Sequence, residues 1–339
     1  MPQEPPAALQ SRIANRKSQI ILPSSFFIPL PLCSPHMSDA QFMQLALRLA
    51  RKGCGQTSPN PMVGAVLVKG RKIIGQGWHR RAGLPHAEIE ALQDARRKGH
   101  NPKGATLYVT LEPCSTHGRT PPCTQAITAA KINRVVIGAI DPNPRHAGQA
   151  LKILKRANIA TSTFDKASAR PFPVRRSLGK GGARAASPGL PASRRQAAKL
   201  AHDCAQLNEP FNHWIVHRTP FVTVKSSMTL DGKIATPSGE SKWITGHEAR
   251  DFAMNLRAGF DAILTGVNTI LLDNPRLTAR KKTPNGKWKL VKPLRRIILD
   301  SQARTPLTAS VVTDEFASLT TIVVTPAAPK TRVAALAKR

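Results

Sequence analysis

Acidic residues are scarce in this chain: 19 Asp and Glu stand against 51 Lys and Arg over 339 residues, a formal net charge of +32. Aromatic residues are scarcer still at 4 %, with a single Tyr. The charge alone invites a polyanion such as nucleic acid, but so few rings exclude a single-strand platform built on base stacking. Long apolar runs are also missing. No stretch approaches the roughly 20 residues of a membrane span, which excludes an integral helical membrane protein. Cysteine is sparse, odd in number and irregularly spaced: Cys33, Cys54, Cys114, Cys123 and Cys204. A secreted disulfide framework is therefore not expected, and a cytoplasmic chain with free or metal-bound thiols is. The apolar piece at residues 20–32 is broken by three prolines and does not read as a signal peptide.

The charge is unevenly placed. Residues 37–163 carry +13, residues 164–199 carry +8, residues 200–279 carry −1 and residues 280–339 carry +10. A uniform nucleic-acid-binding surface would not be divided in this way. At about 150 residues per domain, the length suggests two domains. Residues 1–36 hold seven prolines and no helical or strand period, so they read as a disordered leader, with Met37 as the expected true start. Residues 164–199 hold four Pro, four Gly and nine Lys or Arg with few large apolar residues. Such a segment cannot bury enough surface to offset its ordering entropy and reads as a disordered basic linker.

Between these segments the pattern alternates. From Met37-Ser38-Asp39 a helix places Phe42, Leu45, Ala46, Leu49 and Ala50 on one face, with Ser38 or Asp39 as N-cap. Residues 62–68 and 71–78 read as a hairpin around Lys69-Gly70, residues 86–98 as a helix, 105–111 as a strand, 122–131 as a helix, 134–140 as a strand and 148–157 as a helix. Strands alternating with helices predict an α/β sandwich. Beyond the linker, strands are expected at 221–226, 261–266, 296–300 and 320–325, with a helix at 246–259. The chain ends at Arg339 inside what reads as another helix, so the second domain, residues 200–339, is expected to be incomplete at its C-terminus.

The strongest chemistry lies in His86-Ala87-Glu88 followed by Pro113-Cys114 and Pro122-Cys123. One imidazole and two thiolates suit zinc, and three protein ligands leave a fourth position open, as catalytic sites require. A metal there acidifies water toward neutrality. Glu88, two residues from His86 on the same helical turn, is placed to move protons without acting as a ligand. The start of a helix at Cys123 favours thiolate. The order H-x-E then P-C is that of the zinc deaminases, but eight residues separate the cysteines here where nucleic-acid base deaminases have two.

That spacing carries a resemblance. The run from Thr110 through Leu111-Glu112-Pro113-Cys114-Ser115-Thr116-His117-Gly118-Arg119-Thr120-Pro121-Pro122-Cys123, together with Ser58-Pro59-Asn60-Pro61-Met62-Val63-Gly64-Ala65-Val66, closely resembles the riboflavin-pathway pyrimidine deaminases. Val224-Lys225-Ser226-Ser227-Met228-Thr229-Leu230-Asp231-Gly232-Lys233-Ile234-Ala235 and Gly239-Glu240-Ser241-Lys242-Trp243-Ile244-Thr245 resemble the partner reductase. The whole is similar to the bifunctional diaminohydroxyphosphoribosylaminopyrimidine deaminase/5-amino-6-(5-phosphoribosylamino)uracil reductase family over roughly residues 37–163 and 200–325.

The resemblance implies a cytidine-deaminase-like α/β/α sandwich followed by a dihydrofolate-reductase-like α/β domain. It implies zinc held by His86, Cys114 and Cys123, with Glu88 as proton carrier. It places Asn60 on the pyrimidine ring and His117, Arg119 and Thr120 on base and ribose phosphate. In the second domain it implies NADPH, touched by Ser227, Trp243, Thr269, Asp273 and Ser301. Lys225 would be the catalytic or orienting cation, and Ser241, Arg257, Leu277 and Arg280 would touch the substrate. The implied partner is a small phosphorylated pyrimidine, with neither nucleic acid nor membrane, and a homodimer through the reductase domain is compatible with it.

Each residue also has a plainer reading. Lys225 can face solvent, Arg257 can lie on a solvated helix face, Trp243 can be a core aromatic and His117, Arg119 and Thr120 a solvated loop. The family's Gly-rich loop for the NADPH phosphates and its acidic substrate residue have no counterpart in this sequence, and residues 164–199 replace a short linker. A deaminase with an inactive reductase fragment therefore stays open as an alternative. A nucleic-acid base deaminase would call for the short cysteine spacing and no second domain. A non-catalytic zinc-containing RNA-binding protein would leave Glu88 and the reductase motifs unexplained.

Overall fold

A computed structural model describes residues 37–116, 121–164, 192–241, 244–283 and 285–339. The expected leader, most of the expected linker, and His117, Arg119, Thr120 and Trp243 lie outside the described residues.

The chain opens with helix α1 (Asp39–Arg51). Ser38 is its N-cap, and the Gln41 side chain accepts the Ser38 N–H at 2.8 Å, which satisfies a donor the helix cannot. The hairpin forms as expected from β1 (Gly64–Lys69) and β2 (Lys72–Trp78), with Gly70 at φ +61 in its turn. Next come α2 (Ala87–Arg97), β3 (Thr106–Leu111), α3 (Cys123–Ala129), β4 (Arg134–Ala139), α4 (Gln149–Arg156) and β5 (Ala160–Thr163). The five strands make one sheet in the order β2-β1-β3-β4-β5. β1 runs antiparallel to β2 and β3, while β3, β4 and β5 are mutually parallel.

Alternation along the strands builds two cores. Ala65 and Leu67 of β1, Leu107 and Val109 of β3, and Val135 and Ile137 of β4 face Ala91 and Leu92 of α2, Ile127 of α3 and Leu154 of α4. Val66, Val68, Tyr108 and Val136 point to the other face, against Phe42, Met43, Ala46 and Leu47 of α1. The buried face of α1 thus includes Met43 and Leu47, while Leu45 is only half-buried.

That second face is completed from beyond the basic segment. Helix α5 (Ala192–Leu207) packs on it with Leu200 and Cys204, both buried in the same core. The expected boundary between linker and reductase at 199/200 therefore falls inside a continuous helix. The physical reason is that a five-stranded sheet with apolar residues on both faces needs cover on both, and α1 alone covers only part of one.

Helix α6 (Glu209–His217) follows with Asn208 as N-cap, then α7 (His247–Arg257), β6 (Ala262–Gly266), α8 (Val267–Asp273), β7 (Ala279–Lys282), β8 (Trp288–Lys292), β9 (Arg295–Leu299), α9 (Ser310–Thr313), β10 (Thr320–Val323) and α10 (Lys330–Ala337). β10-β9-β6 form a parallel sheet, and β7 and β8 an antiparallel pair. One face of the parallel sheet buries Ile298 with Val267, Ile270, Leu277 and Val311. Leu264, Leu299 and Val323 on its other face are exposed.

The strand expected at residues 221–226 is a correction. The segment has no assigned secondary structure and joins no ladder among the described residues, and Val222 and Val224 are 77 % and 86 % exposed. A strand needs an edge to pair with and a face to bury, and this segment has neither. A second difference is smaller: the strand expected from residue 62 begins at Gly64, because the Met62 backbone is bonded to a side chain, that of Asn208. No helix among the described residues is long and apolar enough to cross a membrane.

The second half is organised around a buried guanidinium. Arg296 of β9 is 1 % exposed. Its Nε donates to Thr320 Oγ1, its Nη1 to the Arg276 carbonyl and Asp314, and its Nη2 to the Val311 carbonyl and Asp314, at 2.8–3.2 Å. Burial would raise the Asp314 carboxyl, but the bonds from Arg296, the Phe316 N–H and Arg276 together hold it below its usual range. Removing one partner would strand a buried charge. Asp314→Ala is expected to lose about 3–5 kcal/mol of unfolding free energy in urea titration, and a loss under about 1 kcal/mol would contradict this role.

Candidate active site

Three chain segments converge at the ends of β2 and β3. His86 is the N-cap of α2, with extended backbone at φ −72 and ψ 163, and Glu88 lies in the first turn. Helix α2 lies so close to β2 that a Cβ on Gly75 or Gly77 would come within 2.3 and 2.4 Å of the helix backbone at Ala91. Glycine at these two positions allows that approach and so sets where His86 and Glu88 stand. Cys114 follows β3 after Pro113, and Cys123 is the first residue of α3 with Pro122 as N-cap.

The Cys123 N–H donates to Cys114 Sγ at 3.2 Å, the kind of free N–H a helix start provides. His86 Nδ1 lies 3.5 Å from Cys114 Sγ and 3.3 Å from Cys123 Sγ. All three ligand atoms fall within 4.8 Å of one another, a set able to hold a metal ion.

Electrostatics sharpen the geometry. Hydrogen bonding from Cys123 brings Cys114 down to about 4, with His86 adding to the effect and burial opposing it. The Cys123 thiol is pushed up, first by Cys114 and then by burial. Hydrogen bonding to Cys114 raises the His86 imidazole against the opposing effect of burial. Two sulfurs and an imidazole that share protons in this way are a donor set suited to a soft-to-borderline cation such as zinc. Glu88 is 3 % exposed, and burial, then the Cys114 charge, push its carboxyl up to about 7.

Asn60 belongs to this cluster. Its Nδ2 lies 3.1 Å from His79 Nε2, and His79 Nδ1 lies 3.1 Å from the Pro85 carbonyl. With Nδ1–H donating to that carbonyl, Nε2 is left to accept from Asn60, which fixes the neutral tautomer. Burial, the main cause, lowers the His79 pKa. The ring stands 5.3 Å from that of His86, nearly perpendicular to it.

Sequence reasoning missed His79. The available signal was its place at the end of the hairpin strand, seven residues before His86. Glu112 was also missed. Its buried carboxylate accepts N–H bonds from Asp141, Gly148 and Ala150 at 3.3, 2.9 and 3.0 Å and so ties the start of α4 to the strand that delivers Cys114.

The second-domain residues are gathered in part. Lys225 is exposed and bonds Ser227 Oγ two residues on in the same segment. Arg257, the last residue of α7, is half-buried, and burial and then Arg280 of β7 lower its pKa, so the two guanidiniums lie within electrostatic reach. Leu277 is buried at φ +50. Thr269 and Asp273 share α8, Ser301 follows β9, and Ser241 is exposed on the segment before α7. Ser227, Thr269 and Ser301 offer hydroxyls and Asp273 a carboxylate, polar groups of the kind a nucleotide needs.

Residues 36–139 match the cytidine and deoxycytidylate deaminase zinc-binding region, and residues 220–337 match the RibD C-terminal domain. The class is thus a cytidine-deaminase-like domain joined to a RibD-type reductase domain. A riboflavin biosynthesis protein RibD of Aquifex aeolicus is 42 % identical over 287 residues, covering 85 % of this chain and 68 % of that protein. That of Escherichia coli K12 is 41 % identical, covering 79 % and 65 %. Among solved structures, Acinetobacter baumannii RibD matches at a TM-score of 0.67 and 34 % identity, over 88 % of this chain and 72 % of that one. A Thermotoga maritima diaminohydroxyphosphoribosylaminopyrimidine deaminase/5-amino-6-(5-phosphoribosylamino)uracil reductase matches at 0.66 and 34 %, over 87 % and 72 %. The chain belongs to the RibD family of riboflavin biosynthesis proteins, and it spans about two thirds of the length of the curated relatives named here.

If the three donors share one ion, Cys114→Ala is expected to lose it. Elemental analysis of the purified chain should fall from about one zinc to near none, and full occupancy in the variant would overturn the ligand set.

Proposed function

We propose that the chain catalyses two steps of riboflavin biosynthesis. The first is hydrolytic deamination of 2,5-diamino-6-(ribosylamino)-4(3H)-pyrimidinone 5'-phosphate to 5-amino-6-(5-phosphoribosylamino)uracil. The second is NADPH-dependent reduction of the ribosyl to the ribityl side chain. The observation that carries this reading is the imidazole and two sulfurs within 4.8 Å of one another, beside a fully buried glutamate, in a chain of the RibD family.

His86, Cys114 and Cys123 would hold the zinc. Bound there, it supplies Lewis acidity that makes water a nucleophile near neutral pH. Glu88 would accept a proton from the attacking water and return it to the departing amino group, so that one C–N bond is exchanged for one C–O bond and ammonia leaves. A carboxyl near 7 is matched to accepting and donating at neutral pH. Asn60, oriented by His79, presents its amide to the pyrimidine edge. The substrate phosphate in the second domain is assigned to Arg257 and Arg280, since an anion between two guanidiniums relieves their repulsion. NADPH would supply the hydride for the second step; Ser227, Thr269, Asp273 and Ser301 are assigned to holding it, and Lys225 to orienting the substrate. None of the four described cysteines is in a disulfide, in keeping with a cytoplasmic setting.

A second reading, deaminase alone, is favoured by one observation: the exposed apolar residues of segment 221–234 and of the parallel sheet, among them Val222, Val224, Leu230 and Leu264. One assay separates the two readings by following ammonia release and NADPH oxidation independently on the diaminopyrimidine phosphate. The bifunctional reading predicts both signals, and ammonia alone would leave only the first activity. Glu88→Gln should keep its zinc and lose deamination by about 10²–10⁴-fold. Turnover near the unaltered rate would refute its proton-carrying role.

A further inference from the structure

The segment that carries Asn60 is held at both ends by residues from beyond the basic segment. Downstream, the Met62 N–H donates to Asn208 Oδ1 at 2.7 Å, and Asn208 Nδ2 donates to the Met62 carbonyl at 2.9 Å. Asn208 is 1 % exposed. Its own backbone is fixed at the junction of α5 and α6: its N–H donates to the Ala205 carbonyl at 3.2 Å, and its carbonyl accepts from the Asn212 N–H at 2.8 Å. The side chain therefore stands where an adjacent strand's backbone would stand, offering one acceptor and one donor to Met62. Immediately after it, the Val63 carbonyl accepts the His79 N–H at 2.9 Å. Asn60 and His79 are thus brought together through Met62 and Val63. Upstream, Ser58 Oγ donates to Asp261 Oδ2 at 2.8 Å, and Asp261 pairs with Lys292 at 3.5 Å.

We propose that Asn208 is a positioning residue of the deaminase site: its side-chain amide clamps the Met62 backbone and so aims Asn60 at the pyrimidine ring, with Ser58–Asp261 as a weaker outer stay. This rests on the assignment of Asn60 as the ring-orienting residue. Without the Asn208 amide, the Met62 N–H and carbonyl lose both partners in a half-buried place, and the segment shifts to satisfy them. A small shift at Met62 moves Asn60 off His79, and small misplacements of an orienting group are costly in binding and turnover. The exposed Ser58–Asp261 bond contributes less, because water competes for both groups.

The test is a double-mutant cycle on the full chain, with deaminase KM and kcat, zinc content and thermal midpoint recorded for each variant. Asn208→Ala is expected to raise KM for the diaminopyrimidine phosphate about tenfold at unchanged zinc content, in the same KM-to-kcat proportion as Asn60→Ala. Because Asn208 acts through Asn60, the double variant should be no worse than Asn60→Ala alone. Asn208→Asp keeps the acceptor for the Met62 N–H and loses the donor, and should fall between the unaltered chain and Asn208→Ala. Ser58→Ala, at an exposed position, should raise KM by about two- to fivefold and serves if the Asn208 variants fail to fold. A thermal midpoint lowered with KM unchanged, additive losses in the double variant, or a Ser58→Ala KM equal to the unaltered value where the Asn208 variants do not fold would overturn the proposal. Absence of ammonia release by the unaltered chain would overturn the deaminase reading with it, whereas normal release with indifferent variants would overturn the clamp alone.

Discussion

The closeness of one helix to one strand governs the deaminase half. Helix α2 rests on β2 where Gly75 and Gly77 carry no side chain, so its backbone comes into direct contact with the strand. Everything that α2 delivers, His86 at its cap and Glu88 in its first turn, takes its position from that contact. Cys123 arrives in the same way at the start of α3, and Cys114 from the end of β3, braced by the Glu112 carboxylate on the start of α4. Two helix starts and a strand end meet at one point because the packed sheet leaves them nowhere else to be. The donor set follows from backbone packing, and its chemistry follows from the donor set.

Burial then divides the ionisable groups by role. The same removal from water that raises Glu88 toward neutrality lowers His79, and the hydrogen bonding that makes Cys114 a thiolate raises His86. A carboxyl raised toward neutrality, a hydrogen-bonded imidazole with lowered pKa and a cluster of three potential metal donors thus lie within one small region. Arg257 and Arg280 illustrate the converse in that half. Two like charges held near each other are stable only with solvent or an anion between them.

Much of this was legible in the sequence because the signals are local. The Lys69-Gly70 turn fixes a hairpin, the apolar period from Phe42 fixes a helix, and a proline before each cysteine marks the junctions that deliver them. What was not legible depends on distant segments. Helix α5 crosses the expected boundary at 199/200 because the need it meets, cover for a bare sheet face, belongs to residues more than sixty positions earlier. Residues 221–226 have the composition of a strand, but a strand also needs a partner edge, and composition does not report one. Asn208 and Met62 are 146 positions apart, and nothing in either neighbourhood announces the pair. His79 was overlooked for a related reason: its role shows only once Asn60 and the Pro85 carbonyl are placed on its two nitrogens. The large positive charge was the most conspicuous sequence feature and the least informative, since the site is decided by one imidazole, two sulfurs and a carboxyl.

The central claim is that one metal ion sits among His86, Cys114 and Cys123 with its fourth position open to water. X-ray absorption at the zinc edge of the purified chain tests it most directly. The account predicts two sulfur neighbours at about 2.3 Å, with one imidazole nitrogen and one further light atom at about 2.0–2.1 Å. A shell of four sulfurs, or one without sulfur, would contradict it.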